Sequence, residues 1–450
     1  MYISVPDNVI VICKMLRDAD FEAYVVGGAV RDSILGREVH DWDIATNAHP
    51  EEVIKLFDHV IETGIQHDTV TVVIDNESFE VTTYRADGVY SDGRHPDEVK
   101  FVQSIDDDLA RRDFTINAIA YDPINESLHD PFDGVSDISD ALVRAVGNPG
   151  DRFREDGLRM LRALRFCATL GFSIDESTFI AINDDVPLNV SIERIHDEMC
   201  KAIAGIHHVE FFELLRTSGL LKRVLPEMLP MIGCLQNKYH KHDVWTHTMH
   251  VLAVTRSNLH LRLAALFHDV AKPQVKGINP LTGEVTFYDH ENVGAEFADK
   301  IMERLKFSNE DRSKVRHLVK HHLVLYTPDW SNSSVRRWVR KIGIDNVGDV
   351  LALAKADAWG KCNSVQKARE LVELETRIHN MSVKPIVTNT TQLVVNGTDV
   401  MNALNIKPGR EIGETLRMLL EVVTEYPELN TREKLLEILE SKRGSECVIR

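Results

Sequence analysis

Two features are missing from this 450-residue sequence: a long apolar run and an excess of basic charge. No uninterrupted apolar stretch approaches the ~20 residues that cross a bilayer, so no membrane-spanning helix is expected. The first residues lack a basic leader and a small-residue cleavage site, and they do not read as a signal peptide. That makes the cytoplasm the expected location. Lysine and arginine number 52 against 70 aspartates and glutamates, a net charge of −18. Affinity for phosphate backbones comes chiefly from basic side chains, so indiscriminate nucleic-acid binding is excluded, and any RNA must meet a local basic surface. Cysteine is sparse: Cys13, Cys167, Cys200, Cys234, Cys362 and Cys447 lie far apart, without the paired spacing of a zinc site or disulfide framework. Reduced, structural thiols are expected. There is no internal repeat and no low-complexity segment.

What is present is the composition of a folded soluble chain, 43% hydrophobic and 27% charged, long enough for two to four domains. Residues 1–150 alternate helix and strand patterns. A helix precedes Asp20, a strand covers 22–26, a helix follows from Ala29, and apolar segments alternate over 69–74 and 79–83. From Arg154 the 3.6-residue period takes over, with helices predicted over 155–170, 207–221 and 334–342. The expected fold class is α+β: an α/β domain over 1–150, then helical domains over 151–235 and 236–383. A helical tail covers 384–450, with turn signals at Asn396-Gly397 and Pro408-Gly409.

The segment Tyr24-Val-Val-Gly-Gly-Ala-Val-Arg-Asp32, continuing to Leu35-Gly36 and Asp41-Trp-Asp43, points to phosphate chemistry. Two glycines closing a strand let backbone N–H groups such as that of Gly28 approach a phosphate at the start of the next helix. Arg31 adds a fork of donors to the same group. If a strand begins at Asp41, then Asp41 and Asp43 point to one face, as a pair of Mg²⁺ ions requires. This constellation resembles the head domain of the nucleotidyltransferase superfamily, specifically the bacterial-type (class II) tRNA nucleotidyltransferases and poly(A) polymerases. The family motif Gly-Gly-x-Val-Arg-Asp-x-x-Leu-Gly followed by Asp-x-Asp is matched at every specified place. The resemblance extends to Arg111-Arg-Asp-Phe-Thr-Ile-Asn117 and implies ribose and triphosphate contacts by Arg112, Asp113 and Asn117. It also offers Glu80 as a third carboxylate beside Asp41 and Asp43.

In Arg154-Glu-Asp-Gly-Leu-Arg-Met-Leu-Arg-Ala-Leu-Arg165, Asp156, Arg159, Arg162 and Arg165 drift around one side of a predicted helix. The resemblance implies that Asp156 and Arg159 read the base edge of CTP or ATP, with Arg162 and Arg165 as phosphate or base contacts. It also makes residues 151–235 a neck domain. The Gly-, Asp- and Arg-rich stretch 85–97 reads as a loop that, in the family, accompanies the switch to ATP. Residues 130–137 and 193–198 resemble later motifs, the first hinge-like and the second helix-stabilising. These implications favour a CCA-adding enzyme using ATP, CTP and the tRNA 3′ end. A poly(A) polymerase or a CC- or A-adding enzyme of the same family stays open.

Histidines concentrate between 240 and 322, and His268-Asp269 ends an apolar helix. This region resembles the HD phosphohydrolase domain, an all-α fold. The resemblance implies a second divalent-metal site from His247, His268, Asp269, His290, His321 (or His322) and Asp357, with Ala271 standing where the family has glycine. A metal phosphohydrolase as the main activity is the alternative from another class. Basic residues at Arg336, Arg337 and Arg340 are a further candidate tRNA surface.

Overall fold

A computed structural model describes residues 2–64, 69–87, 99–183, 186, 188–237, 241–361, 365–381 and 386–446. The chain forms two compact units, one of Met1–Leu229 with Arg304–Lys306 and one of Pro230–Glu303 with Phe307–Arg450.

The first unit opens with helix Asp7–Asp18, whose Val9, Ile12, Cys13 and Leu16 recur at helical spacing and are buried. Its strands include β1 (Ala23–Val26), β2 (Asp43–Thr46), β3 (Val60–Gly64), β4 (Thr69–Ile74), β5 (Glu77–Thr83), β6 (Arg85–Asp87), β7 (Val99–Phe101), β8 (Ala120–Asp122) and β9 (Ser127–His129). Seven of these form one sheet in the order β3-β4-β5-β2-β1-β8-β9, while β6 and β7 pair separately. Among the described residues, only β2 and β5 run parallel within the large sheet. The central strand β1 pairs Val26 with Asp43 on one side and with Ala120 on the other. The glycine pair, the first carboxylates and the Arg112–Asn117 segment therefore share one end of the sheet. Val26, Ala45, Tyr84, Leu109, Ala118 and Ala120 form the apolar layer beneath it.

The helix expected over 155–170 is interrupted. Helix Pro149–Glu155 ends at Asp156, which is extended (φ −145°, ψ 106°), and helix Leu158–Leu170 begins after Gly157. The Asp156 carboxylate accepts the Leu158 backbone N–H at 3.0 Å, a local bond that competes with helix continuation. Gly171, at φ 73°, closes the second helix. Helix Ile192–Ala204 packs on Leu158–Leu170.

The second unit is mostly helical, with a short antiparallel strand pair, Gly277–Ile278 with Val285–Thr286. Helix Leu259–Phe267 is buried at every residue from Leu261 to Phe267, apolar throughout except for Arg262. It packs against Val244–Ala253, Asn309–His321 and Ile344–Gly360. Towards the C-terminus, Gly397–Leu404, Arg410–Glu425 and Arg432–Glu446 enclose a core of their own that includes Val400, Leu419, Val423, Leu435 and Leu439. The turn signals there are helix starts. Asn396 caps Gly397–Leu404 by accepting the Thr398 and Asp399 N–H groups, and Gly409 precedes Arg410–Glu425. No helix among the described residues is long and apolar enough to cross a membrane.

Candidate active site and a buried histidine–aspartate cluster

At the shared end of the sheet, Gly27 adopts φ 71°, a left-handed conformation that favours glycine. A Cβ there would lie 3.0 Å from Arg112 Nη1 and 3.9 Å from Asp43 Oδ2. The glycine lets a guanidinium and a carboxylate close over the turn. Strand β2 begins at Asp43, and Asp41 precedes it as an exposed residue, so the expected start of the strand at Asp41 is corrected by two positions. Asp41 nevertheless lies near enough to act on Asp43. The Asp43 carboxyl is pushed up to about 6 by burial first and then by the Glu80 carboxylate, with Arg112 opposing and Asp41 adding to the rise. Glu80 reaches the group because β5 runs parallel beside β2, pairing Val81 with Ile44. Three carboxylates with one opposing guanidinium form a charge imbalance that a divalent cation would relieve, so these residues fit a metal.

Behind this cluster, Arg31 donates to Asn117 Oδ1 at 2.5 Å and grips Asp32 with two further donors. Asn117 donates to Asp113 Oδ1 at 3.0 Å, and Arg162 donates to the other Asp113 oxygen at 2.7 Å. Against the cost of its burial, Arg162, Asn117 and Arg159 hold the Asp113 carboxyl well below the usual carboxylate range. Arg111 and Arg112 both bind Asp108, which is 1% exposed. Arg165 donates to buried Glu198 at 2.7 Å, and its guanidinium lies 3.7 Å from the centroid of the Phe166 ring. Arg159 pairs with Glu155 and donates to the carbonyls of Arg152 and Arg111, each at 3.1 Å. Asp156 takes two donors from Arg194.

Gly28, Arg31, Asp43, Arg112, Asp113, Asn117, Arg159, Arg162 and Arg165 are thus joined within one unit by packing and hydrogen bonds. The correction is to Asp156, which stands in the break before the helix rather than on its face. The later motifs brace this region. Asp130 accepts the Gly134 and Val135 N–H groups, and Asp137 accepts the Thr115 hydroxyl at 2.6 Å. In the expected loop over 85–97, residues 88–97 lie outside the described residues.

In the second unit, His247, His268 and Asp357 form one buried group and Asp269, His290 and His322 another, each with ligand atoms within 4.8 Å of one another. The Nδ1 atoms of His268, His290 and His322 lie 2.8, 2.8 and 2.7 Å from the carbonyls of Ala265, Phe287 and Val319. A carbonyl only accepts, so Nδ1 carries the proton and each ring turns Nε2 toward the acids; burial opposes a charge on His268, but Asp269 and Asp357 raise its pKa above the ordinary value. Those Nε2 atoms converge on Asp269: His268 at 3.2 Å, His290 at 3.4 Å and His322 at 4.0 Å. His247 Nε2 lies 3.0 Å from Asp357 Oδ1. Burial lowers His290 and takes His322 down to about 3, keeping both neutral. Lys272 and Lys361 stand against Asp269 and Asp357 at 2.6 and 2.5 Å. Convergent imidazoles and buried carboxylates are a donor set that fits divalent metals.

His321 is not part of this cluster. Adjacent residues on a helix point about 100° apart. His321 therefore stacks against His317, one turn earlier, with ring centroids 4.6 Å apart, while His322 turns inward. Ala271 has φ −87°, so that position makes no demand for glycine. Gly360 was missed in the sequence although its role is physical: a Cβ there would meet Val251 at 2.7 Å and the His247 ring at 3.0 Å. Arg336, Arg337 and Arg340 are committed internally. Arg336 donates to the carbonyls of Thr424 and Glu425 at 2.5 and 2.8 Å, and Arg337 and Arg340 pair with Glu425 and Glu421.

Residues 23–144 match the family described as "Poly A polymerase head domain". Residues 171–232 match "Probable RNA and SrmB- binding site of polymerase A", and 285–439 match "tRNA nucleotidyltransferase domain 2". A CCA-adding enzyme of Lactobacillus helveticus is 49% identical over 215 residues, a match spanning 47% of this chain and only 54% of that enzyme. One from Streptococcus sanguinis is 32% identical over 434 residues, 96% of both chains. The crystal structure of the Bacillus stearothermophilus CCA-adding enzyme in complex with CTP superposes with a TM-score of 0.71 at 27% identity, over 98% of each chain.

Proposed function

Since the chain belongs to the CCA-adding enzymes of the poly(A) polymerase family, we propose that it adds C, C and A to the tRNA 3′ end, from CTP and ATP and without a nucleic-acid template. The observation that carries the reading is Asp43 at the Gly27 turn, beside Arg112 and within the field of Glu80 and Asp41. Asp41 and Asp43 would hold Mg²⁺, with Glu80 beside them. When bound, the metal supplies activation of the attacking 3′ hydroxyl and charge for the departing pyrophosphate. The chain's own residues bind and orient. Gly28, Arg31, Arg112, Asp113 and Asn117 take the triphosphate and ribose. Asp156 and Arg159 meet the base edge, and Arg162 and Arg165 hold that helix in place or contact the nucleotide.

A carboxylate accepting an amino group and a guanidinium donating to ring acceptors suit cytosine and adenine. A mismatched base leaves buried polar groups unpaired, at about 1–3 kcal/mol each. The test is incorporation of radiolabelled CTP alone, ATP alone and both into tRNA ending at the discriminator base. Sequential C, C and A are expected, with a loss of at least about 10³-fold in Asp41→Ala. Extension by ATP alone, or activity indifferent to that substitution, overturns the reading.

The buried cluster favours a second reading for the other unit, a divalent-metal phosphohydrolase with His247, His268, Asp269, His290, His322 and Asp357 as ligands. Its support is the set of three Nδ1–carbonyl bonds that aim the Nε2 atoms inward.

A further inference from the structure

We propose that Arg194 is a specificity-determining positioning residue for nucleotide addition. It holds Asp156 by both carboxylate oxygens and leaves that group about one acceptor position for the incoming base. The inference rests on the reading of Asp156 and Arg159 as the base contacts.

Asp156 stands in extended backbone between two helices, so helical geometry does not aim its side chain. Neighbours do. Asp156 Oδ1 accepts the Leu158 N–H at 3.0 Å and Arg194 Nη1 at 3.3 Å, and Oδ2 accepts Arg194 Nη2 at 2.6 Å. A carboxylate has roughly four lone-pair positions, and these three bonds leave about one. A single N–H, such as the exocyclic amino group of cytosine or adenine, fills it. The carbonyl that uracil or guanine presents at the same edge sets acceptor against acceptor.

The planar fork of Arg194 also fixes the plane of the carboxylate, which a lysine's point charge cannot do. The pair works in the other direction too. Engaged by Asp156, Arg194 does not offer its donors to a carbonyl, so it does not rescue the wrong base. Arg194 comes from the first turn of helix Ile192–Ala204, 38 residues from its partner. Arg159, the other base contact, has a separate holder in Glu155.

The experiment uses the full chain and tRNA lacking its last three nucleotides, and measures KM and kcat for CTP, ATP, UTP and GTP in wild type, Arg194→Met, Arg194→Lys and Asp156→Asn. In Arg194→Met, KM for CTP and ATP is expected to rise about ten-fold or more with kcat little changed, and discrimination against UTP to fall by about ten-fold. Arg194→Lys should recover less than half of that discrimination. A folded Arg194→Met protein with wild-type KM and discrimination overturns the proposal, as does a loss confined to kcat, which a merely structural residue would give. If Arg194→Met lacks the wild-type near-ultraviolet circular dichroism, Arg194→Lys decides, and full discrimination in that variant overturns the proposal. Unchanged nucleotide choice in Asp156→Asn removes the underlying reading. Altered choice there beside a normal Arg194→Met removes only the role of Arg194.

Discussion

Asp43 carries a pH signature of its own. Its folded carboxyl binds a proton more tightly than the unfolded one, whose ordinary value is 3.8. The stability it contributes is therefore complete below 3.8 and is lost as pH rises through about 6. A shift of this size is worth up to about 3 kcal/mol, and water around a partly exposed group reduces it. In EDTA, the melting temperature of wild type minus that of Asp43→Asn should therefore fall by a few degrees between pH 4 and pH 7, and Mg²⁺ at pH 7.5 should restore it. A difference that stays flat with pH contradicts the assignment. Residues of this kind were legible in the sequence because their partners are close along the chain or carried by a compact motif: Gly27 with Arg31, Asp41 with Asp43, Asp113 with Asn117. Arg194 was not, since nothing local in 193–198 points to Asp156. The choice between His321 and His322 needed the actual end of the helix, which periodicity fixes no better than a residue or two.

Among the elements, helix Asn332–Ile342 departs most from its sequence reading. Its arginines suggested an RNA surface, yet Arg336 binds the last carbonyls of helix Arg410–Glu425, which are otherwise unsatisfied and lie at the negative end of that helix dipole. Arg336→Ala should lower the unfolding free energy by about 1–3 kcal/mol, the range for charge-assisted hydrogen bonds, and leave tRNA affinity within about two-fold. Denaturant melts and filter binding check both, and a large loss of tRNA affinity in a protein of unchanged stability would restore the surface reading. The strands over 69–74 and 79–83 were legible from alternation, and the structure has them at Thr69–Ile74 and Glu77–Thr83. The break at Asp156 was not, because an aspartate and a glycine inside a strong amphipathic run weaken a helix without announcing where it stops.

For the whole molecule, the two compact units hold two separate constellations of acids, and their chemistries should come apart under substitution. Asp41→Ala is expected to abolish nucleotide addition and spare metal-dependent phosphate release from a chromogenic monoester. Asp269→Ala should do the reverse, and should also remove the rise in melting temperature that Ni²⁺ or Mn²⁺ is expected to give wild type. Addition lost in Asp269→Ala, or phosphate release that persists in it, defeats the assignment of two independent sites.

The net charge of −18 constrained both readings without locating either, since charge sums over a surface while chemistry depends on a few buried side chains. One such side chain is Asp113, bonded on one oxygen to Asn117 and on the other to Arg162. On the functional reading, Asn117 belongs to the group that grips the triphosphate and Arg162 to the helix that carries the base contacts. A shared carboxylate between them offers a route by which grip and choice would be linked, and any such linkage is reciprocal. The enzyme would then judge letters well only when they arrive with their full tail of phosphates, and a bare nucleoside would pass through almost unread.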